Sequence, residues 1–181
     1  MRVLGLAGWS GSGKTTLLAR LLPLLAARGL RISTLKHAHH AVDLDVPGKD
    51  SWRHREAGAF EVMLATGRRF ALMRELRDAP EPSLPELLAR MTPVDLVLVE
   101  GFRHGAFPKI EVHDTRLGKP LIAADDPFVR AVATEDPGAL AGHGGLGGRP
   151  VLDRNDISAI AELALRVAED RAGDANVPDR L

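Results

Sequence analysis

The sequence predicts an α/β fold with a mostly parallel sheet flanked by helices and a β-ribbon extension. Three observations carry that prediction. An apolar hexad, RVLGLA (residues 2–7), runs into a glycine-rich turn and then a leucine-rich helical stretch. A second run, VDLVLVEG (94–101), has the continuous apolar character of a strand buried on both faces and ends on an acid and a glycine. Between them, FEVMLAT (60–66) and RFALMR (69–74), split by Gly67-Arg68, read as a hairpin.

With 181 residues the chain is the size of one ordinary domain. We expect residues 1–170 to form a single nucleotide-binding domain and 171–181 a disordered tail. Lys plus Arg and Asp plus Glu each number 24, so the formal charge is zero. That balance argues against a surface built wholly for nucleic acid or anionic lipid. The absence of cysteine excludes disulfides, thiolate catalysis and cysteine-ligated metal. MRVLGLAG lacks the features of a signal peptide, and no apolar run reaches bilayer-spanning length. A cytoplasmic protein with no membrane partner and no nucleic-acid partner is the expectation.

The first strand is followed by Gly8-Trp9-Ser10-Gly11-Ser12-Gly13-Lys14-Thr15, which matches G-x-x-x-x-G-K-[ST] with a strand before it and a helix after. The fold class is therefore that of a P-loop NTPase. Glycines let successive N–H groups converge on phosphate oxygens at a helix N-terminus. Gly8, Ser10, Gly11, Ser12, Gly13, Lys14, Thr15 and Thr16 are the candidate phosphate-binding residues. Lys14 reaches the β- and γ-phosphates in such a site, and the Thr15 hydroxyl ligates Mg²⁺. In the helix Leu17, Leu21, Leu24 and Leu25 fall at core-facing spacing. Pro23 should kink or end it, and Gly29 is a plausible C-terminal cap.

RISTLK (31–36) reads as the second strand. The stretch 36–59, KHAHHAVDLDVPGKDSWRHREAGA, then crowds His37, His39, His40 and His54 with Asp43 and Asp45 around a Pro-Gly turn. Three readings stand: a transition-metal site, a solvated surface loop, or a switch-like loop that folds over phosphate and Mg²⁺. The third is favoured, because the phosphate loop supplies both a polyanion and a cation for it to meet. Asp43, Asp45 or Asp50 would then reach the metal shell and Lys49 the phosphate. Ser51, with Asp50 before it, is the expected N-cap of a following helix.

The 94–101 strand supplies the second acid. Glu100 sits where ligands bind in open α/β sheets, at a strand's C-terminal end, followed by Gly101. Lys14 and Glu100 are thus the candidate catalytic residues, and Thr15, Asp45 and Glu100 the candidate Mg²⁺ ligands. Asp95 opens the strand and should point away. Arg103 could contact nucleotide or partner, a surface position being the commoner outcome.

The remaining elements follow by pattern. The hairpin could pair with a second subunit through its edge. SLPELLARM is a short helix capped by Ser83. KIEVH (109–113) alternates as a half-buried strand should, and PLIAAD and FVRAVAT look like further strands. Residues 138–149 are a flexible glycine-rich loop. Asn155 or Asp156 caps a last helix, ISAIAELALRVAED, with Ile157, Ile160, Leu163 and Val167 as its core stripe.

With those residues placed, the chain resembles the molybdopterin-guanine dinucleotide biosynthesis adaptor protein B (MobB) family. The matching pieces are GWSGSGKTTLL, LKHAHH with DVPGKDSWRHREAGA, and LVLVEGFR, with weaker support from KIEVHD, PLIAADDP and DRNDISAIAELAL. The likeness covers about residues 2–168. It implies a homodimeric P-loop protein that binds GTP with Mg²⁺ and hydrolyses it slowly. It further implies an accessory role in attaching a guanine nucleotide to molybdopterin, beside a nucleotidyltransferase and other cofactor-building proteins, with molybdopterin a possible ligand. Asp45, Gly48, Lys49 and Asp50 would belong to the switch-like element, and Glu100 and Gly101 to the second strand end. The alternatives are a metallochaperone GTPase using the histidine loop and a small-molecule kinase. No N-K-x-D tetrapeptide is present, so base reading is open among AADDP (123–127), TEDP (134–137) and Asn155-Asp156.

Overall fold

A computed structural model describes residues 1–38 and 43–170, the last two by backbone alone. His39, His40 and the expected tail 171–181 lie outside the described residues. The chain divides into two compact units: Met1–His37 with the chain from Ser83 on, and Ala38–Pro82.

The larger unit is built on a sheet of strands β1 (Arg2–Ala7), β2 (Ile32–Lys36), β5 (Leu96–Glu100), β6 (Lys109–His113), β7 (Val129–Thr134) and β8 (Val151–Asp153). They lie in the order β2-β5-β1-β6-β7-β8, and every neighbouring pair in that path is parallel. Helices α1 (Lys14–Ala27) and α4 (Ile157–Val167) cover one face. Leu17, Leu21 and Leu25 of α1 and Ile160, Leu163 and Ala164 of α4 close over Leu4, Leu6, Leu96, Leu98, Ile110 and Val112. The other face is covered in two patches. Helix α3 (Leu84–Ala89) brings Leu84 and Leu88 onto Val3, Val97 and Val99, while Leu121, Ile122, Leu140 and Leu146 cover Ala7, Val129 and Val132. Burial on both faces is why β1 and β5 read as apolar runs.

The smaller unit holds α2 (Asp50–Glu56) and an antiparallel ribbon of β3 (Glu61–Ala65) and β4 (Phe70–Arg74). The ribbon register pairs Val62 with Met73 and Leu64 with Ala71. Thr66 closes the turn by donating its N–H and hydroxyl to the Arg69 carbonyl, at 2.8 and 2.9 Å.

Several expectations need correction. Helix α1 continues through Pro23 to Ala27 and hands over to Arg28 and a left-handed Gly29. Helix α2 starts two residues early: Lys49 is its N-cap, and the Ser51 hydroxyl instead donates to Asp45 at 2.8 Å. PLIAAD forms a 3₁₀ turn, Ile122–Ala124, rather than a strand. The glycine-rich 138–149 segment contains two ordered 3₁₀ turns, Gly138–Leu140 and Gly144–Leu146, each burying its leucine. The last helix stops at Val167. Ala168 turns extended and Glu169–Asp170 (β9) pairs antiparallel with the start of β1.

The most informative correction concerns β6. Its alternation is real, yet all five residues are buried. Ile110 and Val112 enter the core under α1 and α4, while Lys109, Glu111 and His113 are polar groups covered by loops. Lys109 is fully enclosed between the Phe107 and Phe128 rings, pairs with Asp126 at 2.9 Å and donates to the Gly105 carbonyl. Gly5 makes room for this arrangement, since a Cβ there would lie 2.7 Å from the Phe107 ring. Glu111 accepts the N–H groups of Ile122 and Ala123 at 3.0 and 2.8 Å, so a buried carboxylate holds the start of the 3₁₀ turn. Glu111→Ala should strip two buried amides of their acceptor and lower stability by about 2–4 kcal/mol in urea unfolding. Glu111→Gln, which keeps an accepting oxygen, should lose clearly less.

Candidate functional site

Parallel pairing decides what meets at the C-terminal edge of the sheet. Leu6 of β1 stands in register with Glu100 of β5, so the loop after β1 and the acid ending β5 emerge side by side. The Thr15 hydroxyl donates to both Glu100 carboxylate oxygens, at 3.0 and 3.2 Å, across 85 residues of sequence. Lys36, at the end of β2 on the other side of β5, brings its ammonium to 3.8 Å from the same carboxylate. Lys14 donates to the carbonyls of Gly8 and Trp9, at 2.9 and 3.0 Å, closing the glycine loop on itself. Burial pushes the Lys14 pKa down; Glu100 opposes that shift and Lys36 reinforces it.

These groups line a concavity of about 410 Å³, completed by Ser10, Gly11, Gly13 and Thr16. Of the expected phosphate-binding residues, Ser10, Gly11, Gly13, Lys14, Thr15 and Thr16 therefore line one concavity with Glu100, whereas Gly8, Ser12 and Gly101 are not part of its lining. The glycines have physical reasons. Gly8 adopts φ +150°, and a Cβ on it would lie 2.4 Å from the Val112 carbonyl and 2.5 Å from the buried Ser12 hydroxyl. Gly13 caps α1 in the left-handed region at φ 94°, where its backbone turns into the helix. Gly101 has φ +101°, and a Cβ would meet that of His37 at 2.7 Å. The chain after Glu100 can turn only because residue 101 has no side chain.

The donor set fits Mg²⁺. A threonine hydroxyl and a carboxylate in contact at a phosphate loop are hard oxygen ligands of the type that cation takes, with water and phosphate completing its shell. Among the described residues no group of three His, Asp or Glu side chains gathers as a metal centre. His39 and His40, on which the transition-metal reading leaned, lie outside those residues; His37 packs on the Phe102 ring at 4.6 Å. Asp45, Gly48, Lys49 and Asp50 belong to the smaller unit. There Asp45 accepts from Ser51 and from Arg55, the latter at 3.4 Å, and Arg55 also binds Asp43 and Glu75. Asp95 is structural, accepting the Arg31 N–H at 2.7 Å.

The base-reading candidates thin out by their existing bonds. Asp126 is taken by Lys109 and by the Phe128 N–H, Asp136 by the Ala139 N–H and Asp156 by the Ala159 N–H. Asn155 accepts from Arg20 at 3.3 Å. Asp125 stays exposed, beside Arg103 and His104 in a second concavity of about 220 Å³. Glu135 stands in a network with Thr115, Arg116 and Arg154.

Two residues escaped the sequence reading. Trp9, inside the phosphate loop, donates its indole N–H to the Pro120 carbonyl at 2.8 Å and carries Arg103 4.3 Å above its ring. Arg154 donates to the Ser12 carbonyl at 2.7 Å, from the turn after β8. Neither position has a motif signal; an arginine in a strand-to-helix turn is ordinary until the sheet order brings it beside the first loop.

The fold and the site together define an α/β protein of the P-loop NTPase type. Residues 3–135 match the family model for MobB, molybdopterin guanine dinucleotide synthesis protein B. The chain is 45% identical over 164 residues to the molybdopterin-guanine dinucleotide biosynthesis adapter protein of Haemophilus influenzae, covering 89% of this chain and 86% of that one. It is 40% identical over 174 residues to the protein of the same description from Escherichia coli strain K12, covering 94% and 95%. A crystal structure of a molybdopterin-guanine biosynthesis protein B superposes with TM-score 0.69 at 27% identity, over 91% of this chain and 98% of that one. Bacillus subtilis MobB shares the fold, with TM-score 0.71 at 23% identity over 94% of this chain and all of that one. The chain belongs to the MobB family.

Gly101→Ala should cost about 1–3 kcal/mol in urea unfolding, from its left-handed backbone and the clash with His37. Gly29→Ala, at φ +79° with no atom within 4 Å of the added Cβ, meets the backbone cost alone and should lose less.

Proposed function

We propose that this protein is the adaptor of molybdopterin-guanine dinucleotide biosynthesis, binding GTP with Mg²⁺ at the phosphate loop. In this role it assists a nucleotidyltransferase and other cofactor-building proteins in attaching a guanine nucleotide to molybdopterin, itself a candidate ligand. The observation that carries the nucleotide half of the reading is the Thr15–Glu100 hydrogen bond in one concavity with Lys14. Its relatives' described role and the family membership support the cofactor half.

The division of labour follows from the side chains. The amides around Gly11 to Thr15 and the Lys14 ammonium are suited to hold a polyphosphate, the lysine exchanging its two loop carbonyls for phosphate oxygens. Thr15 and Glu100 would hold the cation, which would supply positive charge to offset that of the polyphosphate. Glu100 would also orient a water. We infer that hydrolysis is slow and magnesium-dependent, that the loop holding Asp45, Gly48, Lys49 and Asp50 is the nucleotide-responsive element, and that the protein works in the cytoplasm. Among the described residues no helix is long and apolar enough to cross a membrane.

Calorimetric titration tests this. GTP with Mg²⁺ should bind the wild-type protein far more tightly than ATP, and a folded Lys14→Ala variant should lose nucleotide binding by about a hundredfold or more. Equal affinity for ATP, or undiminished binding by Lys14→Ala, would overturn the assignment.

We further propose that a second copy covers the ribbon. Met63, Leu64, Phe70 and Leu72 stand exposed on β3 and β4, with Phe70 at 72%. An isolated two-stranded ribbon is marginal in water, and burying these groups against an identical surface would stabilise both. Sedimentation should show a dimer, and Phe70→Glu should shift it to monomer.

A further inference from the structure

Strand β8 closes the parallel path, and its last turn places Arg154 rigidly. The Arg154 N–H donates to the Thr134 carbonyl of β7 at 2.7 Å, and Asp153 accepts the next N–H, that of Asn155, at 2.8 Å. With its backbone fixed to the ends of two strands, the side chain crosses to the phosphate loop and donates Nη1 to the Ser12 carbonyl. A Cβ on Gly13 would lie 3.0 Å from the same nitrogen, so the lack of a side chain at residue 13 also lets the guanidinium approach.

The guanidinium also faces two acids, Asp114 from the same Nη1 and Glu135 from Nη2. Asp114, after β6, and Glu135, after β7, each stand 3.7 Å from it, at ion-pair rather than hydrogen-bond distance. They are held in turn by other groups. Arg116 forks onto Asp114 and lies 3.8 Å from Glu135, while Thr115 donates its N–H and hydroxyl to Glu135 at 3.0 and 2.9 Å. The bonds from Arg116 keep the Asp114 carboxyl well below the usual carboxylate range, against the opposing effect of burial. Three adjacent strand ends therefore converge on one arginine, and that arginine grips the loop after β1.

A guanidinium suits this task because it is planar, permanently charged and carries five donors, so it can serve a carbonyl and two carboxylates at once. A lysine could keep one of these contacts but not all three. Glu135 also belongs to TEDP, one of the segments considered for base reading. A ligand group that donates hydrogen bonds to Glu135 would compete with Arg154 for it and alter the grip on Ser12.

We propose that Arg154 is a positioning residue that couples the β6–β8 strand ends to the phosphate loop, so that the Asp114–Glu135 acids govern how firmly Ser12 and Gly13 are held for a nucleoside triphosphate. This rests on the nucleotide reading above for its ligand. The coupling is reciprocal: whatever engages Glu135 changes phosphate binding by the same factor that phosphate binding changes its engagement.

The test uses the full chain and two readouts. The first is hydrogen–deuterium exchange of residues 8–16 without ligand, which needs no nucleotide. The second is calorimetric affinity for inorganic tripolyphosphate with Mg²⁺, a probe with no base to touch Glu135. Arg154→Ala should exchange faster across 8–16 and bind tripolyphosphate about tenfold more weakly, the scale of one charge-assisted hydrogen bond. Glu135→Gln should weaken tripolyphosphate in the wild-type background and have no further effect in Arg154→Ala, the signature of one shared pathway. Arg154→Lys should fall between, and it serves as the variant if Arg154→Ala fails to fold. Unchanged exchange and affinity in the folded variant, or a Glu135→Gln effect of equal size in both backgrounds, would overturn the coupling. Wild-type protein that binds neither GTP nor tripolyphosphate would instead sink the nucleotide reading, and the exchange comparison would still decide whether Arg154 holds the loop.

Discussion

The contact between the Thr15 hydroxyl and the Glu100 carboxylate depends on how β1 and β5 are paired, and much of the remaining structure can be understood as what that pairing requires. A parallel neighbour needs a crossover, so the chain between β1 and β5 must leave the sheet and return. Both strands are then buried on two faces, and each face needs a cover: α1 and α4 on one side, α3 and short 3₁₀ turns on the other. With the edge fixed in this way, residues far apart in sequence become neighbours without any local signal between them. Thr15 with Glu100 and Ser12 with Arg154 are both products of strand order.

The same logic explains the buried charges. A polar group can be enclosed only if its partners are supplied. Lys109 is met by Asp126, the Gly105 carbonyl and two aromatic faces, and Glu111 by two amides of the turn that covers it. These groups use short loops, rather than a long helix, to close the second face of the sheet. This cover therefore adds specific polar bonds to its apolar packing, where the first face depends on leucine packing. Single substitutions at Glu111 or Lys109 should accordingly be felt more sharply than comparable trimming of the partly buried leucines of α1, whose loss exposes no unpaired group.

What the sequence made legible follows from where information is local. The phosphate loop, its helix, the apolar strand ending in Glu100, the ribbon and the capping of α3 by Ser83 are written in runs of a few residues. The misreadings share a different cause. KIEVH alternates like a half-exposed strand, and only tertiary structure reveals that its polar face is covered. PLIAAD is apolar enough for a strand, but Glu111 captures the Ile122 and Ala123 amides and bends it into a 3₁₀ turn. Ser51 looks like a cap, yet its hydroxyl is claimed by Asp45. In each case a side chain from elsewhere took a group that local propensity had assigned differently.

Trp9 and Arg154 carry this argument into the site. The loop sequence matches a phosphate-binding motif, but what stiffens the loop lies outside that motif. The Trp9 ring carries Arg103 and is tethered to Pro120, while the Ser12 carbonyl is held from the turn after β8. Glycines give the loop the freedom to wrap a phosphate and would also leave it free to collapse or wander. External bonds to the Ser12 carbonyl and to Trp9 limit that freedom. For a protein whose proposed task is to hold a nucleotide for a partner rather than to turn it over rapidly, a firmly held loop serves binding more than turnover. On the coupling proposed above, the acids beside Arg154 are where an event at the ends of β6 and β7 would be felt by the loop after β1.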